Sequence, residues 1–186
     1  MTTAIVIANG PSLTQEDVDA CRGHGRVYAV KEAVYAAPWA DVVYCADDDW
    51  WDLKEGLKEF TGEKWTCNEP ASQRHALEHV DIDFDIIWGG KGVIASGGNS
   101  GFQTMNLAYI QGATKIILLG FDYGFTGTKK HWFDGGPHHR SSRSSNYKDY
   151  LKRINLAAGC IDIPVLNASR ETAITCFPRM PLHECL

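Results

Sequence analysis

Short β-branched and apolar runs recur along this chain, and nearly every one is followed by a stretch with the apolar spacing of a helix. The runs fall at residues 3–8, 27–30, 42–45, 64–67, 85–88, 115–119 and 163–166, and the helical stretches at 13–21, 32–37, 50–60, 71–79, 102–111 and 146–158. Strands that alternate with helices are joined by right-handed crossovers. The expected fold is therefore α/β: a doubly wound, mostly parallel, Rossmann-like sheet in a single domain over residues 1–186. The run Lys-Ile-Ile-Leu-Leu at 115–119 is apolar almost throughout, as suits a central strand covered on both faces. Ligands of such sheets sit beyond the carboxyl ends of the strands, so chemistry is sought in the loops that follow strands. One of these loops, 120–145, is too long for an ordinary connection and reads as a binding loop or lid.

Composition narrows the functional classes. With 44% hydrophobic and 22% charged residues the chain is neither disordered nor fibrous. At 186 residues it can bury roughly 70% of the surface its unfolded chain exposes, so its core needs no staple. No apolar run reaches the ~20 residues of a membrane span, and Met1-Thr2-Thr3 leads directly into a strand rather than a signal sequence; a cytoplasmic protein is expected. The six cysteines form no CxxC pair and are expected to be reduced thiols. A net charge of -5 argues against polyanion binding by the whole surface. Residues 129–153 nevertheless hold seven Lys and Arg against two Asp, a local +5 that leaves -10 elsewhere. That stretch is either a lid over an anionic ligand, a contact for an anionic acceptor such as a modified nucleic acid, or a solvated helix face.

Four constellations stand at expected strand ends. Asn9-Gly10-Pro11-Ser12 follows the first strand: Gly10 permits close backbone approach, and Ser12 can cap a helix whose free N–H groups favour phosphate, although a plain capped turn has the same composition. Asp47-Asp48-Asp49 follows the third strand, and its Asp-x-Asp pattern suits Mg²⁺ or Mn²⁺ held by Asp47 and Asp49, or a ribose, against the alternative of simple helix capping. Ser96-Gly97-Gly98-Asn99-Ser100-Gly101 opens an apolar helix and gives a backbone able to cradle a phosphate or a base. Asp122 and Tyr123 follow the most strand-like run, with His131, His138 and His139 further along the same loop, where a histidine can exchange a proton near neutral pH. Neither a GxGxxG nor a P-loop fingerprint is present.

Ala-Asn-Gly-Pro-Ser-Leu at 8–13, Asn-Ser-Gly at 99–101 and Lys-Ile-Ile-Leu-Leu-Gly-Phe-Asp-Tyr-Gly-Phe-Thr-Gly-Thr-Lys-Lys-His at 115–131 resemble two related groups. These are the MptE-like proteins, which include motility accessory factors and an archaeal hydroxymethylpterin pyrophosphokinase, and the bacterial lipo-oligosaccharide sialyltransferases. The resemblance implies a sialyltransferase-like variant of the Rossmann sheet that binds an activated nucleotide, a CMP-sugar in one group and ATP in the other. By the same resemblance Asn9, Gly10 and Ser12 contact phosphate or ribose, and Ser100 with Gly101 lines the base pocket. Asp122 and Tyr123 match the active-site Gly-x-Asp element, and His131, or else His138 or His139, matches the catalytic histidine. The sialyltransferases use no metal and lack an Asp-x-Asp, so residues 47–49 lean toward a metal-using enzyme. A compact stand-alone version of this kind suits a small genome such as a phage's. The expected function is a glycosyltransferase that moves a sugar from a nucleotide-activated donor to a hydroxyl acceptor. An ATP-dependent pyrophosphokinase acting on a hydroxymethyl group and a non-catalytic nucleotide-binding module are the alternatives.

Overall fold

A computed structural model describes residues 2–134 and 146–186. In chain order the elements are β1 (Thr3–Ile7), α1 (Gln15–Ala20), β2 (Arg26–Val30), α2 (Ala33–Ala36), β3 (Val42–Tyr44), α3 (Asp48–Leu53), β4 (Glu63–Thr66) and α4 (Glu69–His75). They continue with β5 (Glu78–His79), β6 (Asp81–Asp83), β7 (Val93–Ala95), α5 (Ser100–Ile110), β8 (Lys115–Leu119), α6 (Tyr147–Ala158), β9 (Val165–Asn167) and α7 (Leu182–Cys185). Seven strands form one parallel sheet in the order β5-β4-β3-β2-β1-β8-β9, and β6 pairs with β7 in a small second sheet. The expected α/β architecture is thus present.

Alternate residues of the central strands enter two cores. Ala4 and Val6 of β1 with Ile116 and Leu118 of β8 face Phe102, Met105 and Leu107 of α5 and Ile154 of α6. Ile5, Ile7, Ile117 and Leu119 face Val18, Val34, Trp50 and Trp51 on the opposite side. Burial on both faces is why these strands are apolar throughout rather than alternating. Ile5 lies opposite Val27 on one side and Ile117 on the other, so β1 is flanked by strands that leave in opposite directions. The carboxyl ends of β1 and β8 therefore form the topological switch point.

Several expected boundaries shift for local reasons. Residues 85–88 form no strand: the Asp85 N–H bonds to Asp83 Oδ1 at 2.8 Å, turning the chain, and Phe84, Ile86 and Ile87 are exposed. The helix expected over 50–60 ends at Leu53, because Glu55, Gly56 and Leu57 all adopt positive φ. The one expected over 71–79 starts earlier, where the Asn68 side chain accepts the Ala71 N–H, and stops at left-handed Ala76. Thr14, not Ser12, caps α1 through the Asp17 N–H. No helix among the described residues is long and apolar enough to cross a membrane.

Candidate functional site

The loops after β1 and β8 are laced together. Ala8 donates to the Leu119 carbonyl and Gly10 to the Gly120 carbonyl, both at 2.8 Å. The Asp122 carboxylate accepts the Ser12 N–H at 2.7 Å and the Ser12 hydroxyl at 2.9 Å. A Cβ on Gly10 would lie 2.2 Å from Asp122 Oδ1, so only glycine admits this approach. Asp122 is buried, and burial raises its pKa against the pull of the two Ser12 bonds, with Glu171 adding repulsion. The Asp122 carbonyl accepts the Ala173 N–H at 2.8 Å, and Thr172 Oγ1 donates to the Phe121 carbonyl at 2.7 Å. Asp122 therefore fastens the switch point, and the Ser12 donors read as a phosphate cradle are engaged by the chain's own carboxylate.

The adjoining corner, at the carboxyl ends of β2 and β3, is arranged differently. Asn9 donates through Nδ2 to the Val30 carbonyl at 2.7 Å and accepts Trp132 Nε1–H on Oδ1 at 3.0 Å, while its carbonyl accepts the Trp132 N–H at 3.2 Å. One side chain thus holds the distal loop against the end of β2. His131 stacks on Phe133 with ring centroids 5.0 Å apart and is also hydrogen-bonded to the Asn9 backbone. Burial lowers its pKa below the ordinary histidine value, opposed by the Asp134 carboxylate, and its neutral form is favoured at pH 7. Directly after β2, Lys31 adopts a left-handed conformation, φ 51°, and its Nζ lies 2.5 Å from Asp47 Oδ2. Burial opposes the charge on Lys31, but Asp47 and Glu32, with Cys45 beside them, outweigh it and raise its pKa. Glu32 is buried and accepts Trp50 Nε1–H at 2.7 Å.

On the other side of the sheet, Gly97 and Gly98 adopt positive φ before the N-terminus of α5. Asn99 caps that helix by accepting the Phe102 N–H at 2.9 Å, and its Oδ1 also accepts the Tyr123 hydroxyl at 3.2 Å. Tyr123 is left-handed, φ 47°, and its ring lies 6.1 Å from that of Tyr150. Burial raises the Tyr123 pKa, so it is a neutral donor. Gly101 sits against Phe121, where an added Cβ would be 3.3 Å from the ring, and Ser100 opens the helix half-buried. Asn99 and Tyr123 thus meet where the start of α5 lies against the loop after β8, with Ser100 and Gly101 next to them in the chain.

The carboxylate run has internal cations. Asp47 stands at the N-cap of α3 but makes no side-chain cap bond, its carboxylate being engaged by Lys31. Asp48 pairs with Arg74, while Asp52 pairs with Arg74 at 3.2 Å and His75 at 2.7 Å. Asp49 lies exposed in the first turn of α3. No three potential ligands are grouped for a metal among the described residues. Asp47 already holds the Lys31 ammonium, which a divalent ion on that carboxylate would have to displace. His138 and His139 lie outside the described residues.

Comparison with protein family models, curated proteins and solved structures gives no match. Lys31, Glu32 and Trp132 were not singled out by sequence, although Lys31 and Glu32 directly follow a strand, the one signal that could have found them. A cavity of about 710 Å³, bounded by Asp17, Ala20, Ala168, Met180 and Leu186 among others, contains none of the residues of this edge.

Proposed function

We propose that the chain is a nucleotide-dependent transferase, most specifically a glycosyltransferase whose donor lies along the carboxyl edge between the α5 N-terminus and the Lys31–His131 corner. The observation that carries this reading is His131, kept neutral by burial, stacked on Phe133 and adjoining Trp132, which Asn9 ties to the end of β2 beside Lys31. A neutral imidazole keeps a lone pair on one ring nitrogen, the state a general base requires. In the proposed reaction the acceptor hydroxyl oxygen bonds to the anomeric carbon as its proton passes to His131. The bond from that carbon to the donor phosphate oxygen breaks, and the nucleotide leaves with the electron pair. The resemblance at residues 8–13 and 99–131 supports the same reading.

Phosphoryl transfer from ATP to a hydroxymethyl group is the second reading, favoured by the cation at Lys31, which can offset charge developing on transferred phosphate. The local +5 of residues 129–153 supports an anionic acceptor, whose affinity will fall as salt is raised. A thermal-shift panel of CMP, CDP, UDP, GDP, ADP and ATP tests the proposal, since a ligand at 100 times its Kd adds about 2.7 kcal/mol. Stabilisation by CMP or a diphosphate names the donor, and preference for ATP selects the phosphoryl transfer. Absence of any shift would sink nucleotide dependence. His131→Ala is expected to keep nucleotide binding and lose turnover with the donor so found; unchanged biological effect without His131 would leave a non-catalytic binding module.

A further inference from the structure

We infer that the Lys31–Asp47 pair is an exchangeable anion-binding device: Lys31 leaves Asp47 to hold the diphosphate of a nucleotide, supplying the positive charge that a divalent ion would otherwise bring. The inference rests on the nucleotide reading above and names the group that meets its phosphates. Lys31 has a fixed root. Its N–H bonds to the Tyr44 carbonyl at 3.0 Å, and the preceding carbonyl, that of Val30, accepts from Asn9 at 2.7 Å. These bonds hold it at φ 51°, a conformation that a side-chain-bearing residue keeps only where its surroundings enforce it. The backbone there sets the direction in which the side chain leaves the sheet edge, and its flexible stem lets the ammonium move from one anion to another.

Its partner is loosely committed. The side chains of Lys31 and Asp47 are 27% and 49% exposed, so the pair opens to solvent on the Asp47 side, and Asp47 performs no capping that would be lost on separation. Competing carboxylates are engaged elsewhere: Glu32 by Trp50, Asp48 by Arg74, and Asp52 by Arg74 and His75. A phosphate reaching this corner therefore meets, among the described residues, the Lys31 ammonium with Asp47 as its competitor. Two anionic oxygens of a diphosphate outbid a single half-exposed carboxylate for an ammonium. A divalent ion on Asp47 requires the opposite exchange, with Lys31 expelled and the carboxylate retained, so the two arrangements predict opposite effects of the same substitution.

The test is calorimetric titration of inorganic pyrophosphate, CDP, UDP, GDP and ADP in EDTA and again in Mg²⁺, with the intact chain and Lys31→Met, Lys31→Arg and Asp47→Asn. Binding in EDTA is expected, at least tenfold weaker in Lys31→Met, partly restored in Lys31→Arg and several-fold tighter in Asp47→Asn, whose ammonium has lost its competitor. Weaker binding in Asp47→Asn, binding only with Mg²⁺, or an unchanged Lys31→Met would each overturn the inference. Asp47 is exposed, so its variant gives the deciding sign even if Lys31→Met fails to fold. Nucleotide binding indifferent to Lys31 would leave the transferase reading standing without the device. Pyrophosphate binding through Lys31 with no nucleotide bound would do the reverse, and no binding of either would remove both.

Discussion

Two corners of one sheet edge solve the same local problem in opposite ways. At the ends of β1 and β8, Gly10, Ser12 and Asp122 form a closed set in which each donor meets an acceptor of the chain and no space remains for a methyl group. At the ends of β2 and β3, only a backbone away, Lys31 is held in a conformation that suits glycine, and its ammonium rests on a half-exposed carboxylate. The difference teaches that proximity to the switch point does not by itself make a residue a ligand. Asp122 is buried to fasten two loops, whereas the strained and exchangeable groups beside it keep interactions that a ligand can take over.

The largest effect that could break this contrast lies in the closed corner. Gly10→Ala is expected to cost about 3 kcal/mol in urea unfolding, because the new Cβ must displace either Asp122 or the Gly120 carbonyl. A neutral result would show the lacing to be slack. A smaller change of opposite sign is expected in the other corner, where Lys31→Gly relieves the left-handed strain and gives up only a weak ion pair. It should stabilise the fold by about 0.5–1 kcal/mol while abolishing pyrophosphate binding. Loss of stability in that variant would mean that the lysine is structural after all. Smaller still is the pH effect of His131. Burial places its folded pKa below the ordinary 6.5, so the unfolded chain binds the proton more readily. Stability is therefore expected to fall as pH drops from 7.5 through 6.5 toward the folded value, and His131→Gln to flatten that part of the curve measured by urea titration. An unchanged slope would remove the argument that burial keeps this ring neutral.

Much of the fold was legible because a strand covered on both faces must be apolar at consecutive positions, as in 115–119, and a crossover helix must follow. The misplaced strand at 85–88 shows the limit of that signal. Phe84, Ile86 and Ile87 have the composition of a strand, yet the Asp83 side chain turns the backbone and leaves them exposed. Asn99, Ser100 and Gly101 were legible as a helix start, because a Gly-rich turn precedes an apolar helical run, but their meeting with Tyr123 was not. Lys31 was not singled out, since its place directly after a strand is shared with every other residue that ends one, and no motif sets it apart. Its positive φ and its pairing with Asp47, sixteen positions away, exist only in three dimensions.

By itself the sequence determined which stretches are strands buried on both faces, that they run parallel, and that the loops after them carry the unusual residues, because burial and backbone preference act over a few neighbours. Only the tertiary structure decided which of those loops meet. The lacing of Ser12 to Asp122, 110 positions apart, and of Asn9 to Trp132, 123 positions apart, follows from β1 and β8 lying side by side. That adjacency engages the Ser12 donors with Asp122, while Lys31 at the next strand end pairs with Asp47. The role of a charged group depends on which partners surround it, and those partners come from distant parts of the chain.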